Sequence, residues 1–382
     1  MKKALMYASV ASMIQQFNMN NIKILQDLGY KVDVACNFKF GSTISNEKIE
    51  KLKKDLKDID VDFYQIPVPR KIFDFKNLKL SYKLTKQLMN EKGYDLIHCH
   101  SPIGGIICRI ANKNSSYYSQ SKMIYTAHGF HFFKGNNPIK NIIFKAIEKY
   151  GAQFTDTLIT INKEDYNAAK KFKLKKGGTV EYVPGIGIDL DKINSIQGNK
   201  EKLCQELNIP SDSILLLSVG ELSVRKNQEL VINCLADFDE NVHYIICGQG
   251  ALKERFLELA KEKKVDHRLH LLGYCSNVIE IMKSCDIFIF PSLQEGLPVA
   301  LMEALASGLP CIASDIRGNN DLIENDVNGY LFELKESKFN KRMKCVLERK
   351  SFEKKLMDQY SVKNISGKMK KIYKFERENN GS

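Results

Sequence analysis

Residues 287–310 read IFIFPSLQEGLPVALMEALASGLP, and this stretch decides the fold. Its first four residues, Ile287, Phe288, Ile289 and Phe290, are apolar without alternation. That is the pattern of a short strand buried on both faces, as in a parallel sheet covered by helices. Pro291 and Ser292 end the run, Pro298 stands near the first position of an apolar helix, and Gly308 marks its stop. A strand, a turn and a helix in this order make half of a βαβ unit. The helix that Pro298 opens, and Gly296 before it, present free backbone N–H groups that suit a phosphate or sugar oxygen. Glu295 precedes the helix and Glu303 lies within it. Eight residues of helix would separate them by about 12 Å. That exceeds the ~5–9.5 Å between the paired carboxylates of a glycosidase. The spacing suits one extended ligand held at two points; a capping Glu and a snorkelling Glu are the bland alternative.

Working outward, the same alternation covers almost the whole chain. Strand-like runs are ALMYA, KVDVAC, DFYQI, DLIHC, MIYTA, TLITI and VEYV, then ILLLSV, HYIIC, LHLLG, DIFIF and PCIAS. Between them, segments such as 22–28, 80–88 and 252–259 carry apolar residues three and four apart, as helices do. Seven runs before Pro184-Gly185-Ile186-Gly187 and five after it predict two α/β domains in succession, joined at a Pro/Gly hinge. The expected boundaries are 1–184, 185–360 and a basic amphipathic helix over 361–382.

Composition narrows the class. The 382 residues suffice for two cores, and 43% hydrophobic residues with nine Pro exclude collagen-like and disordered chains. No apolar run reaches the ~18–20 residues of a membrane span. The ten cysteines are scattered without a Cys-x-x-Cys pair, as buried small hydrophobes are in a reducing compartment. The apolar stretch after Met1-Lys2-Lys3 is short for a signal peptide, so the expected location is the cytoplasm. Net charge divides as +13 over residues 1–190, −8 over 191–340 and +8 over 341–382. Such asymmetry suggests units with different partners, the basic ones facing anionic lipid or a phosphate-bearing acceptor. A Lys-rich solvated surface is the plain alternative.

The Glu295–Glu303 pair, set between FPSLQEGLP and ASGLP, resembles the signature of family 4 retaining glycosyltransferases of the GT-B fold. The likeness extends along the chain. VGELSVRKNQELVI (219–232), IICGQGAL (245–252) and LLGYCSNVIEIMKSCDIFIFPS (271–292) resemble the family's donor domain. LIHCHSPIGG (96–105), IYTAHGFHFFKG (124–135), LITINKEDY (158–166) and VPGIGID (183–189) resemble a narrower group. Those enzymes build bacterial capsular and exopolysaccharide repeat units on a polyprenyl-diphosphate carrier. The resemblance implies two Rossmann-like domains with parallel sheets facing a cleft, and a C-terminal helix crossing back to the first domain. It implies retaining, metal-independent transfer of a sugar, of N-acetylated hexosamine type, from a UDP-sugar to a lipid-linked saccharide.

The resemblance also distributes roles. Lys226, with Arg225 beside it, would meet charge developing on the leaving diphosphate. Glu303 would take the ribose hydroxyls, and Glu295 with Gly296 and Leu297 the donor sugar. His128 matches the family's first-domain His near the transferred sugar. Gly220, Gly248, Gly250, Gly273 and Tyr274 would line the nucleotide pocket, and Ser12, His100 and His131 would stand on the acceptor side. No cofactor is implied, the UDP-sugar being a substrate. The chain departs from the pattern twice. Glu221 follows Gly220 where many members carry Arg, and Ser9-Val10-Ala11-Ser12 replaces paired glycines after the first strand. Either Arg225 substitutes for that Arg, or Glu221 turns away or pairs with Arg225 or Lys226.

Rival readings are weaker. His98, His100, His128 and His131 invite a metal, but no pair has the spacing of a zinc helix motif. The Asp-x-Asp runs at 60–62, 189–191 and 237–239 do not end a buried central strand. Gly248-Gln249-Gly250 lacks the third glycine of a dinucleotide fingerprint, and no RNA-binding aromatic motif accompanies the basic residues. A GT-B nucleotide-sugar epimerase, and a silent relative acting as an assembly partner, are the alternative functions. Two Lys-rich amphipathic segments in the first domain suggest peripheral contact with an anionic inner leaflet. One carries Ile49, Leu52 and Leu56; the other, residues 136–154, carries Ile139, Ile142 and Ile143. Helices packing on their own sheet would carry the same apolar faces.

Overall fold

All seven runs expected before residue 184 form one parallel sheet in the computed structural model, which describes residues 1–42, 44–71, 73–349, 352–353 and 357–374. These strands are β1 Lys3–Val10, β2 Lys31–Asn37, β3 Asp62–Gln65, β4 Leu96–His100, β5 Lys122–Ala127, β6 Thr157–Thr160 and β7 Thr179–Tyr182. Their order is β3-β2-β1-β4-β5-β6-β7. The second sheet holds β8 Ile214–Val219, β9 Val242–Cys247, β10 Leu269–Gly273, β11 Ile287–Phe290, β12 Cys311–Ser314 and β13 Gly329–Phe332, in the order β10-β9-β8-β11-β12-β13. Strand β13 has no counterpart among the sequence-based expectations. It spans four residues and begins directly after Asn328, so Asn328-Gly329 reads locally as a turn; its pairing with β12 makes it a strand.

Each strand alternates its residues between two apolar layers, so every sheet is buried on both faces. In β1, Ala4, Met6 and Ala8 join one core cluster while Leu5 and Tyr7 join the other. Contacts divide the chain into two units, Met1–Ile186 with the chain from Lys363 onward, and Gly187–Val362. The last helix, Val362–Lys374, packs Ile365, Met369 and Tyr373 into the same cluster as Ala4 and Met6 of the first sheet. The Lys122 ammonium donates to the carbonyl of Ile372 at 2.6 Å, and the Asn20 amide to Ser366 Oγ at 2.8 Å. The expected helix over 361–382 is thus described to Lys374; residues 375–382 lie outside the described set.

All ten cysteines are free thiols, seven of them buried. The Lys-rich segment with Ile49, Leu52 and Leu56 forms the helix Asn46–Asp58 and buries those three residues in the core. Its apolar face is ordinary sheet packing.

This topology sets where ligands can sit. In open parallel sheets the crevice for a ligand lies outside the carboxyl ends of the strands, where the order reverses. The reversal falls between β1 and β4 in unit 1 and between β8 and β11 in unit 2.

Candidate active site

In unit 2 the loops leaving β8, β9 and β11 lie side by side. The Leu222 N–H donates to Gln249 O at 3.1 Å, the Gly248 N–H to Gly273 O at 2.7 Å and the Leu293 N–H to Arg225 O at 2.8 Å. The Asn227 amide reaches Pro291 O at 3.1 Å. Such close packing requires glycine at 248, where a Cβ would collide with the Gly220 carbonyl. Gly220 itself takes φ +152°, and the stem of Lys226 lies against it.

These loops bring Lys226, Arg225 and Glu295 together. Lys226 Nζ lies 2.8 Å and Arg225 Nη1 2.9 Å from the same oxygen, Glu295 Oε1. Arg225 Nη1 also donates to Gln294 O at 3.1 Å. The Lys226 ammonium stands 4.5 Å over the Phe290 ring and is largely buried. Burial pulls its pKa down, and the neighbouring Glu295 carboxylate opposes that shift. Two cations converging on one anionic oxygen define a position suited to a phosphate oxygen. Glu221 is exposed, its backbone carbonyl accepts from the Gln228 amide at 3.0 Å, and both cations bond Glu295 instead. Its carboxylate is close enough to raise the Lys226 pKa through its charge, without an ion pair to either cation among the described residues.

Glu303 stands apart from this cluster, on the helix Val299–Ala306, whose N-cap is Pro298. Its carboxylate is half-buried and makes no hydrogen bond or ion pair among the described residues. Burial raises its pKa, partly offset by Lys192. A folded-state carboxyl pKa above the unfolded one means that stability falls as pH rises between the two values. Glu303→Gln is therefore expected to raise the unfolding temperature at pH 7. The gain should vanish as pH is lowered below the unfolded-state value. Scanning calorimetry at several pH values checks this, and a variant less stable than the parent at pH 7 contradicts it.

The remaining donor-side positions fall around the same loops. Leu297 is buried, Gly273 takes φ +70°, and Tyr274 after it is exposed. A Cβ on Gly318 would collide with Gly296 O, so the loop after β12 closes on the Glu295-Gly296 turn. Arg317 in that loop donates from Nε to Glu295 O at 3.2 Å. Sequence reasoning missed Arg317, since an isolated Arg in DIRGN carries no motif; only the adjacency of β11 and β12 reveals it.

In unit 1, His100 ends β4 and His128 directly follows β5, and the register of these neighbours aligns His100 with Thr126. His100 Nδ1 and His128 Nε2 lie 3.1 Å apart, one nitrogen donating to the other. The His98 ring lies tilted against that of His100, 4.1 Å between centroids, and its nitrogens bond Thr126 Oγ1 and the Tyr373 hydroxyl, each at 2.8 Å. Burial lowers all three pKa values, to about 3 for His98 and about 4 for His128, so these imidazoles are neutral at pH 7. A cavity of about 30 Å³ beside Phe17, His100 and His128 can hold a single water.

Two acceptor-side candidates do not join this group. His131 is exposed and packs edge-on against Phe144, 5.1 Å between centroids. Ser12 is buried, its N–H donating to Ser42 Oγ at 3.2 Å. The glycines absent after β1 have a counterpart in the facing helix Pro102–Lys113. There the Gly104 N–H bonds Ser9 Oγ at 3.1 Å, while Val10 points toward Gly41. Among the described residues no group of three or more His, Cys, Asp or Glu could hold a metal ion.

Two parallel doubly wound units, each with polar side chains at its switch point, define the GT-B class of transferase folds. The Anabaena protein HepE in complex with UDP superposes with a TM-score of 0.71 at 18% identity, over 98% of this chain and 99% of that one. A family model for glycosyl transferases group 1 matches residues 199–363, and one for glycosyl transferase 4-like proteins matches residues 7–162. The putative glycosyltransferase EpsD of Bacillus subtilis (strain 168) is 30% identical over 341 residues, covering 88% of this chain and 84% of that protein. The Escherichia coli UDP-Gal:alpha-D-GlcNAc-diphosphoundecaprenol alpha-1,3-galactosyltransferase is 31% identical over 289 residues, 74% of this chain and 73% of its own. The chain belongs to this group 1, family-4-like branch of the glycosyltransferases.

Proposed function

We propose that the protein transfers a sugar, with retention, from a UDP-sugar to a saccharide on a polyprenyl-diphosphate carrier, in capsule or exopolysaccharide synthesis at the inner face of the cell membrane. The observation that carries this reading is the convergence of Lys226 and Arg225 on one carboxylate oxygen at the β8/β11 switch point. Breaking the bond between a sugar and a nucleoside diphosphate leaves charge on the diphosphate. Preorganised cations in a site shielded from water stabilise that charge most effectively. Lys226 and Arg225 supply this without a metal, and a phosphate oxygen takes the proton of the attacking hydroxyl. Glu303, with no hydrogen bond or ion pair among the described residues, accepts the ribose hydroxyls; Glu295 accepts from the donor sugar. Neutral His128 serves as a hydrogen-bonding group toward that sugar.

Relatives support this choice of donor and carrier. HepE has been crystallised with UDP, and the Escherichia coli relative is named for a UDP-Gal donor, a diphosphoundecaprenol-linked acceptor and an alpha linkage. The expectation of an N-acetylated sugar rests on the resemblance alone. The test is incubation of the protein with UDP-hexoses and UDP-N-acetylhexosamines plus an undecaprenyl-diphosphate-linked acceptor, with mass spectrometry and the anomeric NMR coupling of the product. UDP at 100 times its dissociation constant should also stabilise the fold by about 2.7 kcal/mol, ahead of GDP and ADP. Transfer with inversion, or stabilisation by GDP alone, would overturn the donor and stereochemical assignments. Turnover of a UDP-sugar without any acceptor would favour an epimerase.

A further inference from the structure

The helix Pro138–Ala152 is amphipathic in reverse. Its buried side is Glu148, Gly151 and Ala152, whereas Ile139, Ile142 and Ile143 are 69%, 70% and 49% exposed. The polar side is fastened to the core. Glu148 Oε2 accepts from the buried Arg109 guanidinium at 3.0 Å, and Glu148 Oε1 from the Tyr125 hydroxyl at 2.9 Å. Arg109 lies 3.9 Å over the Tyr125 ring, and a Cβ at Gly151 would collide with it, so the helix sits close and in one orientation. A carboxylate placed inward on an arginine, with isoleucines outward, is the opposite of what packing on a sheet requires.

At 100° per residue, Ile139, Ile142, Ile143, Ala146 and Tyr150 occupy an arc of about 100°. Exposed Lys145 and Lys149 border it on one side and exposed Lys140 on the other. Between residues 96 and 155 the only Asp or Glu is Glu148, and it is buried, so this stretch shows no carboxylate to solvent. The helix follows β5, at the carboxyl edge of the sheet. The connections leaving β2 and β3 at that same edge carry exposed Phe40, Phe73 and Phe75.

We infer that the exposed face of Pro138–Ala152 lies in the interface of an anionic bilayer, its isoleucines among the acyl chains and its lysines at the head groups. An apolar stripe bordered by lysines is complementary to such a surface, with exposed Glu164 alone lining the groove beside Ile142 and Lys145 as an exposed carboxylate. This rests on the lipid-linked acceptor proposed above, because it places the face beside the membrane that carries that acceptor.

The test is sedimentation of the full chain with phosphatidylcholine vesicles, with and without 30% phosphatidylglycerol, for the parent, Ile142→Glu and Lys140→Glu/Lys145→Glu. The parent should bind phosphatidylglycerol vesicles at least tenfold more tightly than phosphatidylcholine ones. Either variant should lose at least tenfold of that binding. Ile142→Glu should retain transfer to a short-chain, water-soluble acceptor analogue, and vesicle binding lost in a variant that still transfers would support the inference. If no variant or parent transfers, loss of vesicle binding in Ile142→Glu still supports the surface while the function fails. Equal binding by parent and Ile142→Glu would overturn the inference. So would a parent dimer in analytical ultracentrifugation that Ile142→Glu dissociates, since the face would then join two copies.

Discussion

Lys226→Ala is expected to lower sugar transfer by about 10²–10³-fold at saturating donor, the usual cost of removing one preorganised group that stabilises charge in a transition state. The ammonium is held in a largely buried position over Phe290, where its attraction to a developing negative charge is weakly screened. Arg225 cannot replace it, being half exposed and partly committed to the Gln294 carbonyl. Lys226→Arg should rescue poorly. The Lys226 stem fills the space that a side chain at position 220 would take, and a planar guanidinium needs a different approach to a single oxygen. Initial rates at saturating UDP-sugar, with near-UV circular dichroism to confirm folding, measure this. Transfer within threefold of the parent would remove Lys226 from the reaction.

The second large effect separates nucleotide from nucleotide sugar. Glu295 Oε1 occupies the place between Lys226 and Arg225 that the proposal gives to a diphosphate oxygen. A diphosphate must displace that carboxylate, and the freed carboxylate can then accept from the sugar. Glu295→Gln keeps the shape and removes the competing charge. UDP should bind the variant about tenfold more tightly, ~1.4 kcal/mol, while the additional affinity contributed by the sugar disappears and transfer falls by at least 10²-fold. Titration calorimetry with UDP and with the UDP-sugar distinguishes the two terms. Weaker UDP binding by the variant would mean that Glu295 supports the nucleotide instead of standing in its place.

Twelve of the strands were readable one run at a time, because strands of a covered parallel sheet are largely apolar and need no partner to be recognised. Strand β13 was not, since four residues that open on the Gly of Asn-Gly carry less local signal than the turn they resemble. The site was legible as residue types. Glu295, Glu303 and Lys226 stand out by motif, yet nothing in a separation of 69 residues says that Lys226 bonds Glu295. That contact exists because β8 and β11 are neighbours in the sheet and their loops emerge together. The same adjacency of β4 and β5 joins His100 to His128 and leaves His131, three residues further on, against Phe144.

The two Lys-rich segments of the first domain show where sequence stops and structure decides. Both have apolar residues at helical spacing beside lysines, and their periodicity alone cannot separate them. The amino-acid sequence determined the class of fold, the family and the identity of the charged residues, because periodicity, turn chemistry and motif order are local properties of the chain. Tertiary structure decided which face of each helix is paid for by burial. It turned Ile49, Leu52 and Leu56 into the core, and it turned Glu148 inward to Arg109, leaving Ile139, Ile142 and Ile143 facing out. The orientation of a helix follows from the partners it meets across the fold, and a buried ion pair with a close glycine contact can outweigh the pull of three isoleucines toward the core.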